Sequence, residues 1–134
     1  MHVYDIESVG EPLRTVHGEV VWELAGLAVP GTAKVHSVAQ VVIPPRMATL
    51  RHFHPVAEET YYILKGTGRM ILDGEEADVG PGQAIFIAPG QHHKLINRAN
   101  EELHMLCVCA PAWEPTNTVW LEAWRNGQAV AVDA

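Results

Sequence analysis

The run RHFHPVAEETYYILKGTG, Arg51 to Gly68, reads as two short strands joined by a turn. His52 and His54 stand two apart, and side chains on an extended strand repeat with period two, so both imidazoles leave one face about 6.6 Å apart along the backbone. Two ring nitrogens can therefore converge on one ion. Pro55 withdraws a ladder donor and ends the strand, and Val56 and Ala57 carry the chain round to Glu58 and Glu59. One of these carboxylates can return to the same ion. Thr60 to Leu64 is aromatic and β-branched enough to form a strand, which Gly66 and Gly68 close with a turn. Two histidines and a carboxylate on adjacent strands make a metal site the first expectation.

Working outward, the chain of 134 residues is long enough to bury one sizeable core, so a single domain over 1–134 is expected. Apolar residues make up 48% and charged residues 19%, which is ordinary globular composition. The formal charge of -7, with nine Lys and Arg spread singly, offers no basic stripe to a phosphate backbone and no anchor for anionic lipid. No nucleic-acid or membrane partner is expected. Acidic residues stand where a secretory leader would be basic, and no apolar run approaches about 18 residues, so the expected location is cytoplasmic. Cys107 and Cys109, neighbours on one strand face, are poorly placed for a relaxed disulfide and read as reduced, mostly buried thiols.

Residues 1–34 form an arm with one short strand near Val20 to Leu24, expected at a sheet edge or a subunit contact. Residues 35–110 carry the core. His36 to Ile43 is a strand apolar on both faces, with Val38, Gln40 and Val42 on one and Ala39, Val41 and Ile43 on the other; Pro44-Pro45 stops it. Arg69 to Leu72 and Ala77 to Val79 flank Asp73-Gly74, which predicts a type I′ hairpin. Ala84 to Ile87, His93 to Asn97 and Leu103 to Cys109 complete a series of short strands separated by Gly, Pro and Asn, the pattern of an all-β sandwich or barrel. In the tail, 111–134, Thr118 to Arg125 admits either a helical turn or two or a further strand.

Together, Arg51 to Gly68 and a second stretch, GQAIFIAPGQHHKLIN from Gly82 to Asn97, resemble the cupin superfamily. That family's first motif runs G, five residues, HxH, three or four residues, E, six residues, G. Here His52, His54, Glu59 and Gly66 keep that spacing, and Arg46 stands where the leading glycine is usual. The second motif runs G, five residues, PxG, two residues, H, three residues, N. Gly82, Gly90, His93 and Asn97 match it, with Ala88 in place of the proline.

The resemblance implies an all-β double-stranded β-helix, a jelly-roll β-barrel, with an ion inside near its open end. Carried over residue by residue, the ligands are His52, His54, Glu59 and His93; the spacing prefers Glu59 to Glu58 and His93 to His92. Three imidazoles and a carboxylate suit one divalent transition metal, Fe, Mn, Ni, Co, Cu or Zn, better than Ca or Mg. Open positions on such an ion would take water or a small-molecule substrate. The family also implies a homodimer, paired through the N-terminal strand or the tryptophan-bearing tail.

Other candidates follow from strand parity. Tyr61 shares the parity of Glu59 and reads as a hydrogen-bond partner, a proton donor or core packing, and Glu59 itself is a second candidate for moving a proton. Gln40 and His104 are candidates to support the site or to face away from it. Trp113, with Trp120 and Trp124, is placed to cross the barrel mouth, to meet a second subunit or simply to pack. His2, His17 and His36 read as surface residues. Arg46, Arg51 and Lys94 read as isolated charge or as guides for an anionic substrate.

Cupin barrels host many chemistries, so the fold does not settle the reaction. The leading expectation is a metal-dependent enzyme acting on a small oxygen-rich molecule, dioxygenase-like if the ion is redox-active. The alternatives are an isomerase-like, lyase or cyclase reaction without O2, a non-catalytic binding or sensing module, and a metal-free structural barrel.

Overall fold

A computed structural model describes residues 1–132, and it is built almost entirely of antiparallel strands. In chain order these are β1 (Leu13–Arg14), β2 (Val20–Ala25), β3 (Ser37–Ile43), β4 (His52–Phe53), β5 (Glu58–Lys65), β6 (Gly68–Leu72) and β7 (Glu75–Val79). They continue as β8 (Ala84–Ile87), β9 (His93–Ile96), β10 (Leu103–Ala110), β11 (Val119–Trp120), β12 (Glu122–Arg125) and β13 (Gln128–Ala131). One sheet has the order β1-β2-β3-β10-β5-β8, the facing sheet β11-β4-β9-β6-β7, and β12 with β13 forms a separate hairpin. This is the all-β barrel that the strand pattern predicts, in the jelly-roll form that the cupin resemblance implies.

Parity places the core. On β5, Glu59, Tyr61 and Ile63 point inward while Glu58, Tyr62 and Leu64 lie exposed on the outer face. Ile63, Ile43 and Leu103, on three adjacent strands, are fully buried with Leu95 of the facing sheet, each contributing roughly 1.5–3 kcal/mol. Moving along the same strands the filling changes. Tyr61, Val41 and Met105 belong to both the core and a cavity wall, and then Glu59, Ala39 and Cys107 face the cavity. One end of the barrel is thus packed and the other is hollow.

The turns follow from local chemistry. Asp73 (φ 47°) and Gly74 (φ 83°) both take the left-handed conformation that a type I′ hairpin requires. Asn126 (φ 52°) and Gly127 (φ 75°) do the same between β12 and β13. That second hairpin, with β11, decides the tail in favour of strands, the other of the two readings that Thr118 to Arg125 admitted, and a short 3-10 turn forms earlier, at Pro115–Asn117. Arg46, at the motif's usual glycine position, keeps the positive φ (63°) that glycine adopts more easily, and its Nε donates to Asn100 Oδ1 at 3.0 Å.

Gly66 cannot be exchanged so readily. Its φ is 83°, and an added Cβ would sit 2.5 Å from the Glu102 carbonyl oxygen, whereas Gly74 has the same φ and open space. We expect Gly66→Ala to lower the unfolding free energy by about 3 kcal/mol and Gly74→Ala by only about 1 kcal/mol, as read from urea transitions. Equal costs would remove the steric part of this assignment.

Candidate metal centre

Four side chains from three strands and one loop meet at the hollow end. β4 is only two residues long because Pro55 cannot continue the ladder; His52 therefore faces in, Phe53 faces out and His54 faces in again at the start of the turn. His52 lies opposite His93 in the β4–β9 register. Glu59 arrives from the inner face of β5, on the other sheet. One donor atom from each of His52, His54, Glu59 and His93 lies within 4.8 Å of every other, and all four residues are buried. The competing neighbours point away: Glu58 is exposed, and His92 stacks on Phe53 with ring centroids 4.8 Å apart.

The hydrogen bonds behind these rings determine what the rings can bind. His52 Nδ1 lies 2.7 Å from the Leu50 carbonyl, His54 Nδ1 3.1 Å from the Asn117 carbonyl and His93 Nδ1 2.9 Å from the Gln91 carbonyl. A carbonyl oxygen only accepts, so each Nδ1 carries a proton and each neutral ring presents a bare Nε2 lone pair to the cluster. The Cys107 thiol donates to Glu59 Oε2 at 2.9 Å, which leaves Oε1 as the free carboxylate oxygen. Glu59 Oε1 lies 3.4 Å from His54 Nε2 and 3.2 Å from His93 Nε2 without an aligned hydrogen bond. Glu59 Oε1 and His93 Nε2 are fully buried and have no hydrogen-bond partner. Acceptors that converge with no donor between them are stabilised by a cation, and this donor set fits a divalent transition metal.

The electrostatics point the same way. Burial, then the neighbouring His93, lowers His52 to about 4, so that ring is neutral near pH 7. Burial alone would raise Glu59, but His54 and His93 outweigh it and hold the carboxyl below its usual range. Burial would likewise lower His54, and Glu59 reverses the sign. An ionised, buried carboxylate needs positive charge beside it.

In front of the cluster lies a cavity of about 570 Å³, within the usual range for small-molecule sites. Tyr61 and Trp113 line it. Burial, then the charge of Glu59, raises the Tyr61 hydroxyl well above its ordinary range, so it keeps its proton and can donate it in a hydrogen bond. Trp120 lies tilted against His52 with centroids 5.0 Å apart, and Trp124 also borders the cavity. Lys94 is bound to Glu122 at 2.7 Å, and Glu122 also accepts from the Arg51 amide at 2.8 Å, which ties the tail to the barrel.

Three expectations are corrected. Gln40 pairs with Leu106 and Trp22 on the face opposite Ala39 and Val41, away from the cavity. His104 is on the outer face of β10, since Leu103 and Met105 point inward, and lies 3.3 Å from Glu102. His17 is no surface residue: it is buried in the cavity wall, with Nε2 2.8 Å from Glu19 Oε1. His17 and Glu19 sit in the turn between β1 and β2, and it is this turn that brings them together. Cys107 and Cys109 are free, as expected, but Cys107 orients Glu59 instead of merely packing.

Comparison with known proteins agrees with this geometry. The family model for the cupin domain matches residues 39–109. An uncharacterised protein of Methanocaldococcus jannaschii is 37% identical over 112 residues, covering 84% of this chain and 89% of its own. The polyketide synthase protein CurC of Streptomyces cyaneus is 28% identical over 109 residues, covering 81% of this chain and 69% of its own. A predicted oxalate decarboxylase of Thermotoga maritima, whose structure is solved, superposes with a TM-score of 0.73 at 23% identity, covering 82% of this chain and 99% of its own. The matched family, the barrel and the buried histidine and glutamate cluster coincide, and the chain belongs to the cupin family.

Proposed function

We propose that this cupin is a mononuclear metal-dependent enzyme that moves a proton on a small, oxygen-bearing molecule, with His52, His54, Glu59 and His93 holding the ion. A bound divalent ion supplies Lewis-acid polarisation of a substrate oxygen. The observation that carries the reading is the His17–Glu19 pair in the wall of the same cavity. His17 Nε2 donates to Glu19, so Nδ1 is the nitrogen available to accept a proton from carbon next to a carbonyl, and Glu19 stabilises the resulting imidazolium. Tyr61 keeps its proton and is the donor to a substrate oxygen. Glu59 is occupied on one oxygen by Cys107, so we assign it to holding the ion and not to proton transfer.

The test uses 2-hydroxyacetophenone as a probe, with exchange of its carbinol protons in D2O followed by NMR. The metal-loaded chain should catalyse exchange, and His17→Gln should slow it about 100-fold at unchanged metal content. Undiminished exchange in His17→Gln would contradict the role of the pair, and no exchange by the loaded chain would favour a binding module. The dioxygenase-like reading is the second, favoured by a donor set that also suits redox-active ions. Oxygen uptake with catechols, without proton exchange, would select it.

Metal retention should fall on acidification, because protons compete with the ion for the three Nε2 atoms. Loss is expected as pH drops from about 6 to 4. A metal content unchanged at pH 4 would contradict the ligand set.

A homodimer remains our proposal, now placed on a different surface. The arm and tail are used in the cavity wall, whereas the outer face of the six-stranded sheet exposes Tyr62, Leu64, Phe86 and Val108.

A further inference from the structure

We propose that the cavity selects planar aromatic ligands that are uncharged or cationic, and that it rejects anions. The inference deepens the reading of the same site, on which it rests for the ligand's oxygen reaching the ion, while its charge preference comes from the protein walls alone.

The walls carry several carboxylates. Glu11, Glu19 and Glu23 line the cavity together with Glu59, and among the described residues no Lys or Arg does. Lys94 is held by Glu122, outside the cavity. These four carboxylates exceed the charge of one divalent ion, so an anion entering a desolvated space finds no net positive field and no guanidinium or ammonium to pair with. A carboxylate or phosphate ester would therefore pay its desolvation without return. Tyr61, Cys107 and Glu59 line the same cavity as Glu19, so the acidic wall and the buried cluster share one space.

The remaining wall is apolar and aromatic. Trp113, Trp120 and Trp124 all border the cavity, and Trp120 lies against His52 at the rim, 46% exposed. Indole faces stack on planar rings and attract cations, and carboxylates behind them add to the second effect. The unpartnered Glu59 Oε1 and His93 Nε2 mark the inner end of this space. A flat molecule with an oxygen at one edge and no negative charge fits both ends.

Three naphthalene probes of similar size and different charge test this: 2-naphthylmethylammonium, 2-naphthalenemethanol and 2-naphthoate. Their affinities are measured by calorimetry on the full chain, both zinc-loaded and stripped with chelator. In both forms the ammonium should bind at least as tightly as the alcohol, and the carboxylate at least about tenfold more weakly than the alcohol. In Glu19→Gln/Glu23→Gln the three affinities should draw together. Should that variant not fold, raising the salt concentration should weaken only the ammonium. Naphthoate binding as tightly as the alcohol to the stripped chain would overturn the proposal, as would an order unaffected by both the double substitution and salt. Zinc content is read separately: a chain that retains no zinc refutes the metal reading and leaves the charge order of the stripped chain to stand or fall by itself.

Discussion

Asn97→Asp should lower the unfolding free energy by about 4 kcal/mol, although the two side chains are nearly isosteric. Asn97 is 1% exposed and sits where the end of β3, the loop after β9 and the start of β10 meet. Its Nδ2 donates toward the carbonyls of Ile43 (3.0 Å), Pro44 (3.1 Å) and Glu101 (2.8 Å), and its Oδ1 accepts from the Ala99 amide at 3.0 Å. Aspartate turns the donor into an acceptor facing three carbonyl oxygens in a buried space. Both outcomes are costly: either a charge is left unpaired, or the carboxyl is protonated and satisfies only one of the three. Asn97→Ala removes the donors without adding repulsion, so a smaller loss of about 3 kcal/mol is expected. Urea transitions read both, and an Asn97→Asp loss under about 1 kcal/mol would show that the amide is not what joins these segments.

His93→Ala should leave a folded barrel that no longer retains its ion. Metal content after gel filtration should fall from about one per chain to below about a tenth, since one of the four proposed ligands is gone. Stability without metal should change far less than for an ordinary buried side chain, because the substitution also removes a buried nitrogen that has no partner. Added zinc should therefore raise the melting temperature of the natural chain and not that of the variant. Identical metal content in the two proteins would mean that His93 is packing and not a ligand.

The strands of the barrel were legible in the amino-acid sequence because they rest on short-range geometry, while the full ligand set was implied by the cupin resemblance. His52 and His54 share a face by period two, and Pro55 sets the turn that returns Glu59. His92 and His93, like Glu58 and Glu59, could be separated only by the family spacing, and the structure points His92 and Glu58 outward.

What was hidden depends on long-range contacts or on equivocal patterns. β3 is apolar on both faces, so its period could not say whether Gln40 faced the cavity; β2 and β10 on either side decide that it does not. His104 was ambiguous for the same reason. Cys107 reads as a small hydrophobe until the β5–β10 register sets it opposite Tyr61 and within reach of Glu59. His17 looks solvent-facing because the arm's burial is supplied by residues far along the chain, Trp124 among them. The tail is the exception: Asn126-Gly127 carries the same hairpin signal as Asp73-Gly74, and that local evidence favours strands over a helical turn at Thr118 to Arg125.

The most direct test is anomalous diffraction from crystals of the metal-bound chain. The expected result is a single ion per chain, bound by the Nε2 atoms of His52, His54 and His93 and by Glu59 Oε1, each at about 2.0–2.2 Å. An ion bound elsewhere, or ligation through any Nδ1 that the structure commits to a carbonyl, would contradict it.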